Sequence, residues 1–197
     1  MIPHAEKKTH VPEHIEFLTK SQIALQLIDQ SIDDGITVKA WTFDESYGRY
    51  GHFLDGLDER KLAFFGEVPP QFHVWISKPK VQRKPSRNTV GRQKNYPRLS
   101  KRERVGKCVR NLRTRSPAFR DQAPPRYRVR DSYKGPEDWN IQRHTCYRKT
   151  HDGKLFGKAC TLIVAINIRT DEIRCFISNR VPGQGGWAVR ELLRIAF

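Results

Sequence analysis

No stretch of this 197-residue sequence stays apolar for long. The longest run, residues 162–166, is five residues, far below the roughly 20 needed for a membrane-spanning helix. The opening residues, Met1-Ile-Pro-His-Ala-Glu-Lys-Lys8, lack the apolar stretch of a secretory signal. Cysteine is sparse: Cys108, Cys146, Cys160 and Cys175 show no paired short spacing. That argues against a structural zinc site and a disulfide framework, leaving buried or half-buried free thiols in a reducing cytoplasm. The histidines lack a nucleophile partner or ligand spacing; His10, His14, His144 and His151 read as surface or packing residues. Hydrophobic residues make up 37% and charged residues 29%, so the chain can build a core, though not one spread evenly along its length.

Acid is scarce in one segment above all. Residues 78–130 hold 19 of the 37 Lys and Arg but two of the 21 acids, Glu103 and Asp121. Outside it the charges nearly cancel, so this segment carries the whole net charge of +16. Concentrated positive charge suits a polyanion, because each neutralised phosphate releases a counterion. A solvated basic linker is the other reading of the same charge. A membrane-surface role fits poorly, since the segment has few aliphatic residues to insert.

Thr19 and Gln22 have capping-box spacing, and Ile23, Leu27 and Ile28 recur on one helical face, with Gly35 at the left-handed cap. A strand is predicted over 37–43, ending at Asp44-Glu45, then a loop over 47–51. A short helix follows, with Phe53, Leu54 and Leu57 on its buried side, and a second strand over 63–68 stops at Pro69-Pro70. This alternation is an α/β unit with parallel strands, α+β once the later strands are counted. In the basic segment Ser100 and Glu103 predict a helix with Val105, Cys108, Val109 and Leu112 as its apolar stripe. Lys101, Arg102, Arg104, Arg110, Arg113 and Arg115 are its candidate phosphate contacts. Strand patterns follow at 127–131, 141–147, 161–168 and 173–177, with a hairpin turn at His151-Asp152-Gly153. A break over 181–186 precedes a final helix with Val189, Leu192, Leu193 and Ala196 on one face. Trp139 and Trp187 could anchor a core or stack on bases.

Asp44 is the candidate catalytic and metal-binding residue. An acid at the carboxyl end of a strand points into the crevice where α/β sheets place ligands. Phosphoryl transfer needs clustered carboxylates to hold divalent metals. The same acid could instead cap the next helix. Glu45 beside it reads as structural.

The blocks His10-Val-Pro-Glu-His-Ile-Glu-Phe-Leu-Thr-Lys20, Trp41-Thr-Phe-Asp-Glu-Ser-Tyr-Gly-Arg-Tyr-Gly51 and Phe53-Leu-Asp-Gly-Leu57 resemble prokaryotic insertion-sequence transposases of the DDE superfamily. So do Gly66-Glu-Val-Pro69, Lys134-Gly-Pro-Glu-Asp-Trp139, Leu162-Ile-Val-Ala-Ile-Asn167, Phe176-Ile-Ser-Asn179 and Leu192-Leu-Arg-Ile-Ala-Phe197. The resemblance implies a ribonuclease-H-like core over 1–71, a basic, β-rich insertion over 72–180, and the start of the returning catalytic helix over 181–197. It implies an Asp, Asp, Glu triad holding Mg2+, strand cleavage at the element's ends, and joining of the freed 3′-hydroxyl to target DNA. Asp44 matches the second Asp. The first Asp would lie upstream of the His10–Lys20 block and the third acid beyond the last block, so the chain reads as truncated at both ends. Glu191 falls too early to substitute.

One carboxylate cannot hold two metals, so catalysis by this chain alone is not expected. Three functions follow: an inactive transposase fragment that keeps DNA affinity, a non-catalytic nucleic-acid binder working through the basic segment, or a regulator that assembles with full-length transposase. The implied partners are transposon ends and target DNA, with no membrane, in a cytoplasmic, nucleoid-associated setting. A core lacking its first strands should expose a sheet edge and be poorly soluble.

Overall fold

Thr19 starts the first helix as its spacing dictates: its Oγ1 accepts from the Gln22 N–H at 3.4 Å, and its own N–H donates to Gln22 Oε1 at 2.9 Å. The computed structural model describes residues 16–83, 96–103, 105–132, 135–180 and 191. It divides into two compact units, Met1–Ile36 and Thr37–Phe197. The described part of the first unit is built on α1, Lys20–Asp33, closed by Gly35 at φ +81°. Of the predicted apolar face only Ile28 is buried; Ile23 and Leu27 stay 44% and 57% exposed. Periodicity identifies which face is apolar, not whether anything packs on it.

The second unit is organised by one mixed sheet. Strand β1 (Trp41–Phe43) pairs in parallel with β2 (Phe64–Val68), as the α/β unit predicts, although β1 is shorter than the expected 37–43. The expected loop over 47–51 is largely helical: α2 is Glu45–Gly48 and α3 is Gly51–Glu59. Asp44 caps α2 and so nucleates a turn that the glycines of this segment alone would not favour. Phe53, Leu54 and Leu57 of α3 are 3% exposed or less, each contributing about 1.5–3 kcal/mol by burial.

The later strands do not form a separate sheet. A meander of β8 (Gly135–Lys149), β9 (Phe156–Asn167) and β10 (Ile173–Ser178) joins β2 antiparallel through β10, with Phe176 opposite Glu67. On β8 also pair β3 (His73–Trp75), which continues to β6 (Lys107–Cys108), and β7 (Arg126–Ser132). The order is β1-β2-β10-β9-β8-β3-β6, with a separate two-stranded ladder of β4 (Val81–Gln82) and β5 (Arg98–Leu99). In this order β1 is an edge. The β8–β9 hairpin turns at the predicted site, with Gly153 at φ +69°. Trp139 is 2% exposed in a cluster with Phe65, Ile141, Ile163, Ala165 and Phe176, so it anchors the core and is no stacking platform. Trp187 and the predicted final helix around it, Glu191 apart, lie outside the described residues.

The basic helix predicted from Ser100 onward is broken. Lys101–Glu103 is one 3-10 turn, and α4 begins only at Val109, running to Arg115. Gly106 lies so close to β3 that a Cβ there would stand 2.9 Å from the Val74 carbonyl oxygen, and Lys107–Cys108 is drawn into the sheet. Val105, assigned to the stripe, is 73% exposed, whereas Val109 and Leu112 are buried. Tertiary pairing overrides the local helical pattern. A four-residue helix α5, Pro117–Arg120, follows and puts Phe119 against the ring of His144, centroids 3.9 Å apart. Burial of His144 holds its pKa below the ordinary value.

Among the described residues Arg148 on β8 is the most deeply buried charged side chain, 1% exposed. Its guanidinium reaches Asp55 through Nη1 and Asp58 through Nη2, the latter at 2.5 Å. Both acids belong to α3. Asp55 also accepts from the His151 N–H at 2.6 Å, and Asp58 from Asn179 Nδ2 at 2.9 Å. Asn179 in turn donates to the Leu62 carbonyl and accepts from the Phe64 N–H. Four elements therefore meet at two carboxylates. Among the described residues no helix is long and apolar enough to cross a membrane.

Two outcomes test this packing. Arg148→Ala leaves two carboxylates facing a buried gap and should lower urea-unfolding stability by about 3–5 kcal/mol. Arg120→Ala, which breaks an exposed pair with Asp121, should cost under about 1 kcal/mol; equal losses would contradict the assignment. Burial pushes the Cys160 thiol up to about 11 and the Cys175 thiol up to about 12. In native protein at pH 8, iodoacetamide should therefore label half-buried Cys108 first. Labelling of Cys160 or Cys175 at the rate of Cys108 would show those thiols to be open.

Candidate active site and nucleic-acid interface

Asp44 follows the last residue of β1, where the chain leaves the sheet. It both caps and faces a crevice. Its Oδ1 accepts from the Ser46 N–H at 3.0 Å and from Ser46 Oγ at 2.5 Å, so the helix-cap reading of this acid holds. The side chain is exposed and lines a crevice of about 270 Å³ with Thr42, Phe43, Phe65, Gly66, Glu67, Arg174 and Phe176. Glu45 instead pairs with Arg49 at 2.8 Å across one helical turn.

Two glycines press this segment onto β2. Gly48 packs so tightly that a Cβ would fall 1.9 Å from the Glu67 carbonyl oxygen. At Gly66 a Cβ would meet the Phe43 ring at 2.1 Å, so the bare backbone lets that ring lie over the strand. Phe43 then packs edge-on against Phe53 and tilted against Phe64, at centroid distances of 5.2 and 5.7 Å. Asp44 thus leaves the sheet from a strand fixed on β2 and on α3.

The crevice has a second acid that sequence reasoning gave no role. Phe43 pairs with Gly66; Asp44 is the first residue after β1, and Glu67 is the next residue along β2. Glu67 is bound by Arg174 from β10, through Nε at 3.0 Å and Nη2 at 2.6 Å. The Arg174 guanidinium also lies 5.2 Å from the centroid of Phe176. Its hydrogen bonds to Glu67 raise its pKa above the ordinary arginine value. The only sequence sign was a charged residue inside each of two apolar strands.

The predicted phosphate contacts fall on separate elements. Lys101 and Arg102 sit exposed on the 3-10 turn; Arg110, Arg113 and Arg115 project from α4, whose opposite side buries Val109 and Leu112. Arg104 lies outside the described residues. Arg113 borders a cavity of about 520 Å³ with Arg120, Asn140 and Asp171 among its walls. Gln142 Nε2 holds the end of α5 by donating to the Phe119 carbonyl at 2.8 Å. Gln142 and His144 alternate with Ile141, which faces the Phe65–Phe176 cluster. The α4–α5 arginines and the Phe65–Phe176 cluster beside Asp44 therefore lie on opposite sheet faces.

A third cavity, about 600 Å³, lies between α3 and the β8–β9 turn, lined by His52, Asp55, Asp58, Arg148 and His151 among others. Larger than the Asp44 crevice, it is nevertheless the outer side of the Arg148 clamp, its two aspartates already committed.

An acid just after a parallel strand of a mixed α/β sheet stands where such sheets place ligands. The chain belongs to the DDE superfamily endonuclease family, whose model matches residues 2–136. No curated protein and no solved structure matches it. Membership gives it a nuclease- or transposase-like function with DNA as substrate, in a superfamily that works with divalent metal ions, and the mixed sheet with its helices is consistent with a ribonuclease-H-like DDE fold. Among the described residues no group of three or more His, Cys, Asp or Glu is placed to hold a metal ion. Asp44 offers one carboxylate, and Glu67 beside it is committed to Arg174. These residues do not by themselves make a divalent-metal site.

Gly48→Ala should unseat α2 from β2 and lower the melting temperature by several degrees, because the clash is with backbone and cannot be relieved by a rotamer change. Asp44→Ala should cost only about 1 kcal/mol, the worth of a missing N-cap. If Gly48→Ala melts like the wild type, the close approach to β2 is absent in solution.

Proposed function

We propose that this chain is part of the catalytic domain of a prokaryotic insertion-sequence transposase, with Asp44 one acid of its triad. The position of Asp44, at the carboxyl end of a parallel strand and facing a crevice, carries the reading, together with family membership. With a single family acid among the described residues of that crevice, the chain binds DNA but does not cut it alone. Mg2+ is the metal the whole enzyme would use, with Asp44 as one of its ligands. Incubated with Mg2+ and end-labelled duplex DNA, the purified chain should leave the strands intact. Metal-dependent cleavage that disappears in Asp44→Ala would contradict the inactivity and keep the catalytic role.

DNA affinity is assigned to the basic segment, on the observation that Arg110, Arg113 and Arg115 are exposed on one short helix whose other side is buried. Lys101, Arg102 and Arg104 extend the charge before it. Neutralising Arg102, Arg104, Arg110 and Arg113 together should weaken binding. It should also flatten the slope of log K against log salt by about 0.9 for each phosphate no longer neutralised. An unchanged slope, with the fold intact by circular dichroism, would move the DNA interface elsewhere.

A further inference from the structure

We propose that Cys146 and Cys160 are a modification site, where a small-molecule disulfide oxidises them to a reversible cross-link between β8 and β9. The observation is their register. Of the four free cysteines, these two stand directly opposite each other on neighbouring antiparallel strands. Both are buried, 0% and 1% exposed. The kind of pairing is readable from the end of the ladder. The Ile168 N–H donates to the Asp138 carbonyl at 3.0 Å, and the register runs unshifted from Trp139 to Tyr147. Counted in twos from Asp138, Cys146 and Cys160 fall on a hydrogen-bonded pair, whose Cα atoms lie about 5.5 Å apart. Disulfides most often span a Cα separation of about 5.5–6 Å. Cys108 and Cys175 have no such partner: they stand opposite His73, and opposite Val68 and Val164.

Opposed Cβ atoms in a sheet stand about 4.5–5.5 Å apart, and a disulfide draws them to about 3.8 Å. The bond therefore needs a local twist of the hairpin. The irregularity between Tyr147 and Lys149, beside the pair, gives β8 a place to take it up. A cross-link formed against such a constraint is of the readily reduced kind, a reversible one rather than a permanent staple. Cys160 Sγ gives up a long bond to the Lys158 carbonyl, 3.5 Å, when it turns to Cys146. Burial pushes both thiols up, Cys160 to about 11, against the pull of the Arg148 guanidinium; Asp55 and Asp58 push Cys160 the same way as burial. In the closed sheet the thiols are inert, so reaction waits on an opening of the hairpin. One thiol then loses its proton to water, and its thiolate attacks a sulfur of glutathione disulfide, releasing one glutathione thiolate. The second cysteine, deprotonated in turn, attacks the protein sulfur of that mixed disulfide and releases the other glutathione. Two electrons pass to glutathione, and its two thiolates take up the two protons.

The test equilibrates the full native chain with oxidised and reduced glutathione in varying ratio, then quenches with acid, alkylates and digests with trypsin. Cleavage sites at Arg148, Lys149, Lys154 and Lys158 separate the two cysteines, so a link between them shows as one joined peptide pair. Oxidised mixtures should convert most of the chain to a form lighter by two hydrogens, with Cys146 joined to Cys160. Excess reduced glutathione should return both thiols. Cys108→Ser, which removes the half-buried competitor, should give the same link. Cys146 and Cys160 both still free once Cys108 carries glutathione would overturn the proposal, as would a link between any other pair. A Cys146–Cys160 bond that excess reduced glutathione leaves closed would overturn its reversibility.

Discussion

A single buried guanidinium holds the second unit together. Arg148 sits at the end of the longest strand, 1% exposed, with both arms of its fork on α3 carboxylates. A charge so placed is tolerable only while both partners stay. Its consequence is positional. With Asp55 and Asp58 fixed, α3 lies against the sheet, and Phe53 packs on Phe43, the residue before Asp44. The distance from Arg148 to the Asp44 turn is bridged by rigid packing rather than by loop. Asn179, just after β10, completes the tie by using its amide oxygen on β2 and its nitrogen on Asp58 and Leu62.

The second dependency is strand pairing. Had the later strands formed their own sheet, the Asp44 crevice would have had one wall. Instead β10 runs antiparallel beside β2, and Arg174 and Phe176 become the other wall. The residues of the expected insertion, 72–180, thus share a sheet with those of the expected core. Positive charge is split between the two faces: a fixed, half-buried arginine beside Asp44, and exposed arginines on α4 over the other face. DNA that touched both would have to pass around an edge of the sheet.

Local signals in the sequence proved readable where the cause was local. The Thr19–Gln22 box, the buried stripe of α3, the parallel β1–β2 unit and the Gly153 hairpin each rest on neighbours close in the chain. The basic helix failed because Gly106 lets the chain close on Val74, a distant position whose approach no periodicity encodes. The α1 stripe was legible as apolar, yet Ile23 and Leu27 are exposed. At the candidate site Asp44 stood out by its place at a strand end, and its two roles, cap and crevice wall, were both foreseeable. Glu67, Arg174 and Arg148 were not, because a charge in a strand declares its partner only once the strand order is known.

Amide chemical shifts of the isotope-labelled chain, followed while a short DNA duplex is titrated in EDTA, test most directly whether the Asp44 crevice meets DNA. The amides of Thr42, Asp44, Glu67 and Arg174 should move together with those of Arg110, Arg113 and Arg115. Shifts confined to α4, with the crevice amides still at saturation, would contradict a DNA-facing Asp44 and leave the basic helix as the whole interface.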